Sequence, residues 1–164
     1  MNRRVFMMTL GVYIGSLMIP SRVFSKSQRI TFKQIIKTDK EWRKLLRPDR
    51  YEILRREGTE RRFSSPLDKE YGPGVYVCAG CALELFTSEM KYDSKTGWPS
   101  FFRSIEGRLE TKIDFKMLFP RTEYHCARCD GHQGHIFNDG PKPSGKRWCN
   151  NGLALKFIAA KDSG

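Results

Sequence analysis

Residues 126–141 read CARCDGHQGHIFNDGP, and their first four residues decide how the chain is organised. Cys126-Ala127-Arg128-Cys129 is a C-x2-C knuckle. A second knuckle, Cys78-Ala79-Gly80-Cys81, lies well upstream. A two-residue spacer lets both sulfurs of a knuckle turn toward one ion, and two knuckles complete a tetrahedral set of four thiolates. Such a set selects zinc or iron on softness and geometry. The wide separation means that an ion here would pin together two distant parts of a small domain. Two disulfides are the alternative in an oxidising compartment. A disulfide inside a C-x2-C is usually redox-active, however, and two of them would be unusual. The reading carried forward is one structural Zn2+ held by Cys78, Cys81, Cys126 and Cys129.

Short regular elements surround the knuckles. Thr38 and Glu41 form a capping-box pattern ahead of Trp42, Leu45 and Leu46, which predicts a short helix ending before Pro48. A second helical turn is expected through Tyr51-Glu52-Ile53-Leu54, stopped by Gly58. After the Gly72-Pro73-Gly74 turn, Val75-Tyr76-Val77 reads as a strand entering Cys78. Thr122 to Cys126 is another strand. Leu153, Leu155 and Phe157 alternate with Ala154, Lys156 and Ile158 as a third. Pro141 to Gly145 is a loop. The fold class is therefore mainly β and antiparallel, with short N-terminal helices.

The 164 residues suit one domain with a modest core. Apolar content of 39% with 29% charged residues excludes a disordered chain. The formal charge is +12, and Arg3, Arg4 and Arg22 contribute three of those charges before the first acidic residue, Asp39. The other basic residues are scattered. The densest run, Arg55-Arg56 and Arg61-Arg62, is broken by Glu57 and Glu60. No alternation of aromatic and basic residues marks a nucleic-acid strand, so no nucleic-acid partner is expected.

Residues 1–25 have the form of a secretory signal. Arginines come first, then an apolar stretch from Val5 to Ile19, then small residues at Val23 and Ser25 for a peptidase. Arg3-Arg4-Val5-Phe6 is twin-arginine-like, with Asn2 where Ser or Thr is usual. The apolar run is short for a membrane span. The expected location is the periplasm, or the membrane surface if the segment is not cleaved and acts as an anchor. Residues 26–37 read as a linker, 38–160 as the domain and 161–164 as a tail.

Cys149 is the odd cysteine. It lies in Arg147-Trp148-Cys149-Asn150-Asn151, and an extended chain there projects Arg147, Cys149 and Asn151 to one face. A neighbouring guanidinium favours the reactive thiolate, and the Asn151 amide is in a position to donate a hydrogen bond. A buried, inert thiol is the alternative. The segment 131–141 adds His132, His135 and Asp139 in a glycine-punctuated stretch that can supply general acids. The same residues also read as a polar turn, or as a second metal site of His132, His135 and Cys149, which would make the chain a zinc hydrolase. A zinc-stabilised binding module is a further class.

The first knuckle, TGWPSF, the second knuckle, HQGHIFNDGP and RWCNNG, in this order, resemble the B-type methionine-R-sulfoxide reductases. Glu57-Gly58-Thr59-Glu60 and Lys91-Tyr92-Asp93-Ser94 are also similar to that family's pattern. The resemblance covers residues 38–160. It implies a core of two antiparallel sheets with the metal away from the active site. It implies that Cys149 attacks the sulfoxide sulfur, and that His132, His135 and Asp139 hold and protonate the oxygen. Trp98 receives the methyl group, Phe137 lines the pocket, and Arg147 and Asn151 support the thiolate. The product is methionine with a sulfenic acid on Cys149. The family's common resolving cysteine is replaced by Thr96, so the sulfenic acid falls to an external reductant, thioredoxin-like or another thiol. The expected substrate is an oxidised protein or peptide and the expected state a monomer. Gln133 stands where leucine is usual and Trp148 where a smaller aromatic is usual. Both are expected at the pocket rim.

Overall fold

Thr38 caps the first helix through both halves of a capping box. Its hydroxyl accepts the Glu41 N–H at 3.3 Å, and the Glu41 carboxylate accepts the Thr38 N–H at 2.7 Å. Helix α1 spans Asp39–Leu45 and buries Trp42. Pro48 opens the next helix, α2, Pro48–Arg56, which buries Tyr51, Ile53 and Leu54. The helix ends with Glu57, not Gly58, in the left-handed region at φ 55°. Gly58 serves a different need. Its N–H donates to the Glu52 carbonyl at 3.0 Å, and a Cβ there would sit 2.9 Å from that oxygen.

This computed structural model describes residues 32–116 and 119–161. The signal-like segment 1–25 lies outside them. No helix among the described residues is long and apolar enough to cross a membrane. Residues 32–38 form no helix or strand, but they lie against the second knuckle. The Ile35 N–H donates to the Arg128 carbonyl at 2.7 Å, and Phe32 and Ile35 pack on the core.

Among the described residues, nine strands form two antiparallel sheets. Strands β1 (Gly74–Cys78), β2 (Glu84–Thr87) and β9 (Leu155–Ala159) make the smaller, in the order β2-β1-β9. The larger holds β3 (Lys91–Tyr92), β4 (Ser100–Phe101), β5 (Leu109–Asp114), β6 (Arg121–Cys126), β7 (His132–Phe137) and β8 (Arg147–Asn150), in the order β3-β4-β8-β7-β6-β5. Aromatic rings join the sheets. Phe86 of β2 stacks on Phe101 of β4 at 4.0 Å between centroids, and Tyr76 of β1 meets the same ring edge-on at 5.0 Å. These rings are fully buried, so they carry a large share of the hydrophobic stabilisation.

The C-terminal strand begins later than its alternation predicts. Leu153 lies in a 3-10 turn, Gly152–Ala154, and β9 starts at Leu155. The cause is a buried acceptor. The Glu60 carboxylate takes the N–H groups of Gly152 and Leu153 and curls the chain around itself. Gly152 is required here, since a Cβ would fall 2.0 Å from Ser65 Oγ.

Candidate active site and metal centre

The two knuckles bring four sulfurs together. The Sγ atoms of Cys78, Cys81, Cys126 and Cys129 all lie within 4.8 Å of one another. The Cys78–Cys129 and Cys81–Cys126 pairs stand at 3.6 and 3.5 Å. A disulfide needs about 2.05 Å, so none is formed. A tetrahedral tetrathiolate with metal–sulfur bonds of about 2.3 Å has edges of roughly 3.8 Å, and the observed set fits that ion size. Three of the four cysteines are buried. Among the described residues, no other group of three or more His, Cys, Asp or Glu ligand atoms comes this close. The second metal site of His132, His135 and Cys149 is therefore not formed.

Cys149 lies on the larger sheet, away from the knuckles. Strand β8 pairs antiparallel with β7, so that Cys149 opposes His135 and Arg147 opposes Phe137. Directly opposed residues project to the same face, with Cβ atoms about 5 Å apart. Strand β7 carries an irregularity opposite Tyr124/His125, where Gln133 falls outside the ladder. Strict alternation would send His132 and His135 to opposite faces. The extra residue turns both to one face, with ring centroids 5.4 Å apart. A cleft of about 440 Å³ opens there, lined by Thr59, Trp98, His135, Phe137, Cys149 and Asn151 among others.

Each histidine is held by a carboxylate. His132 Nδ1 lies 2.8 Å from Glu123 Oε1, and both side chains are almost fully buried. His135 Nε2 lies 2.8 Å from Asp114 Oδ2. Burial holds both imidazoles below their ordinary value of 6.5, against the pull of these carboxylates. Asp114 itself is held well below the carboxylate range by the Lys116 N–H and by His135 and Arg121. Burial also wins at Cys149. It pushes the thiol above its ordinary value of 9.0, against the Arg147 charge and the Thr96 hydroxyl. A neighbouring guanidinium therefore does not make a resting thiolate. Asp139 adds to the effect of burial: its two oxygens bind Arg147 Nε and Nη2 at 2.9 and 2.8 Å, and its negative charge raises the thiol further.

The other expected site residues fall in distinct places. Trp98 lines the cleft and its indole N–H donates to the Glu60 carbonyl at 3.1 Å. Phe137 lines it too, and the Arg147 guanidinium stacks on its ring at 4.4 Å. Asn151 lines it, but its amide is engaged elsewhere. Its Oδ1 accepts the Glu60 N–H at 3.0 Å and its Nδ2 donates to the Gln133 carbonyl at 3.1 Å. Asp139 grips Arg147 and is not part of the cleft lining. Gln133 and Trp148 are not at the rim. Gln133 is fully buried beside the knuckles, and Trp148 packs edge-on against Tyr124 at 4.9 Å.

Glu123, Asp114 and Glu60 were not among the residues singled out from sequence as site groups. Arg121 and Glu123 do alternate along β6, which marks a polar face. The pairing of Glu123 with His132 becomes visible only once β6 lies beside β7.

The fold thus presents a cleft lined by Cys149 and His135 on an antiparallel sheet, with a separate cluster of four cysteines able to hold a metal ion. The SelR domain family matches residues 46–159. A peptide methionine sulfoxide reductase MsrB of Leptospira interrogans is 46% identical over 125 residues, 76% of this chain and 95% of that protein. One from Methanosarcina barkeri is 47% identical over 126 residues, 76% of this chain and 89% of that protein. A third, from Bradyrhizobium diazoefficiens, is 44% identical over 130 residues, 79% of this chain and 94% of that protein. The chain belongs to the methionine-R-sulfoxide reductase B family of oxidoreductases.

Proposed function

We propose that this enzyme reduces the R epimer of methionine sulfoxide in oxidised proteins or peptides, using the Cys149 sulfur as the electron donor. The observation that carries the reading is the direct opposition of Cys149 and His135 across β7 and β8, in a cleft walled by Trp98 and Phe137. A raised thiol beside neutral imidazoles sets the proton inventory. The proton the sulfoxide oxygen needs is the one Cys149 already carries. His135 takes it from the thiol and delivers it to the oxygen as the Cys149 sulfur attacks the methionine sulfur and forms a transient S–S bond. The oxygen then moves to the Cys149 sulfur as both that S–S bond and the methionine S–O bond break, releasing methionine and leaving a sulfenic acid. Two electrons pass from the cysteine sulfur to the substrate sulfur, and no proton is gained or lost overall. The Trp98 and Phe137 rings receive the apolar side of the sulfoxide, so only the epimer whose oxygen then faces His135 reacts. His132, fixed by Glu123, and Arg147, fixed by Asp139, hold the site's charge and shape around that event.

An external thiol completes the cycle. Thr96 lies beside Cys149 where an internal resolving cysteine would act, and a hydroxyl cannot form a disulfide. One thiol displaces water from the sulfenic acid, and a second releases Cys149 as a thiol. The metal is Zn2+, held by the four knuckle cysteines as a structural ion. The chain acts after export, a reading supported by Arg3, Arg4 and the apolar stretch from Val5 to Ile19. The test is turnover of separate R and S epimers of a methionine sulfoxide peptide with dithiothreitol, beside Cys149→Ser. Turnover of R alone, lost in the variant, is expected. Turnover of S, or activity in Cys149→Ser, overturns the proposal.

A further inference from the structure

The Gln133 side chain is fully buried and reaches the metal centre, not the cleft. Its Nε2 lies 3.3 Å from the Gly131 carbonyl and 3.5 Å from Cys78 Sγ. The Gly131 oxygen can only accept, so it fixes which end of the amide faces this side. The second N–H of the same group then points at the Cys78 sulfur, which must act as an acceptor. A thiolate does this well and a thiol poorly. The amide oxygen, Oε1, is buried with no hydrogen-bond partner. An apolar side chain of similar size would avoid that cost. The glutamine therefore gains something on its NH2 side, and the acceptor there is a fully buried knuckle sulfur.

We infer that Gln133 is an outer hydrogen-bond donor to the tetrathiolate centre, and that its N–H to Cys78 slows loss of the bound ion. A four-thiolate site around a divalent ion carries a net charge of −2, and this charge is buried. Donors to its sulfurs spread that charge, and groups just outside a metal's ligands typically change its retention by about 10–100-fold. The inference rests on the metal-centre reading and not on the reductase reading.

The experiment loads full-length wild type and Gln133→Leu with Zn2+ and follows transfer of the ion to a chromogenic chelator at fixed pH. Release about tenfold or more faster from the variant is expected, with near-ultraviolet circular dichroism reporting that the variant is folded. Equal release from a folded variant overturns the inference, as does a wild-type protein that retains no metal. A second measurement needs no substitution and covers a variant that does not fold. In Cd2+-loaded wild type, the Gln133 side-chain amide protons should show scalar coupling to 113Cd through the sulfur. Absence of that coupling overturns the inference. Neither readout depends on sulfoxide turnover, so failure of the reductase reading is seen separately.

Discussion

At the residue scale, the chemistry turns on which of two effects wins at Cys149. Arg147 and Thr96 favour the thiolate, but burial outweighs them and the thiol sits above its ordinary value. Asp139 contributes to that outcome by occupying both guanidinium nitrogens that face it. The free enzyme should therefore alkylate slowly at neutral pH. Iodoacetamide labelling of Cys149 should climb with pH through and beyond 9, and more steeply displaced still in Arg147→Ala. A labelling rate that levels off below pH 7 would mean a preformed thiolate and a different proton source for the oxygen. Proximity of Arg147 to Cys149 was legible from a two-residue spacing. The sign of the shift was not, because burial and the Asp139 clamp are properties of the folded sheet. Gln133 makes the same point. It lies between His132 and His135 in sequence, yet the irregularity in β7 sends it to the opposite side.

At the scale of elements, one buried carboxylate joins the N-terminal segment to the end of β8. Glu60 accepts the N–H groups of Gly152 and Leu153, while its own N–H and C=O hold Asn151 Oδ1 and the Trp98 indole. Hydrogen bonds to charged groups are worth about 1.5–3 kcal/mol each, and stranded donors add to the loss. Glu60→Ala should destabilise the protein by roughly 3 kcal/mol in urea unfolding, and should loosen Trp98 as well. A loss below about 0.5 kcal/mol would show that the carboxylate is not a structural link. Elements set by local rules were readable directly. The capping box at Thr38, the turn before β1 and the strand entering Cys126 depend on neighbours three or fewer residues away. The start of β9 was misjudged because apolar alternation ran through Leu153, while the acceptor that curls the chain lies in the segment between α2 and the sheets.

At the scale of the whole molecule, the four knuckle cysteines join the two sheets, while Cys149 lies on β8 inside the larger one. Motif order made both visible, since the knuckles and the histidine segment each carry their chemistry in a short run. The ionic shell that orients the histidines comes from the paired strands β5 and β6, and it was not readable before their register was known. Burial of the two histidines, which outweighs that shell, predicts an acid-side loss of stability. His132 and His135 are held below 6.5 when folded and return to 6.5 when unfolded. Below pH 6.5 the unfolded chain therefore binds more protons than the native one, and stability falls as pH falls. Above 6.5 both states are neutral and this contribution is complete. The melting temperature should drop between pH 7 and pH 5, and the drop should be smaller in His132→Asn. A melting temperature that rises over that interval would contradict the burial-dominated shifts.

In the proposed reaction, oxygen passes from the substrate to Cys149 and stops there. Mass spectrometry after a single turnover of the R-epimer peptide, with no reductant and with a sulfenic-acid trap present, tests it most directly. One trapped adduct on Cys149 is predicted, with the four knuckle cysteines unmodified. A disulfide between Cys149 and any knuckle cysteine, or an unmodified Cys149 beside reduced product, would contradict the account.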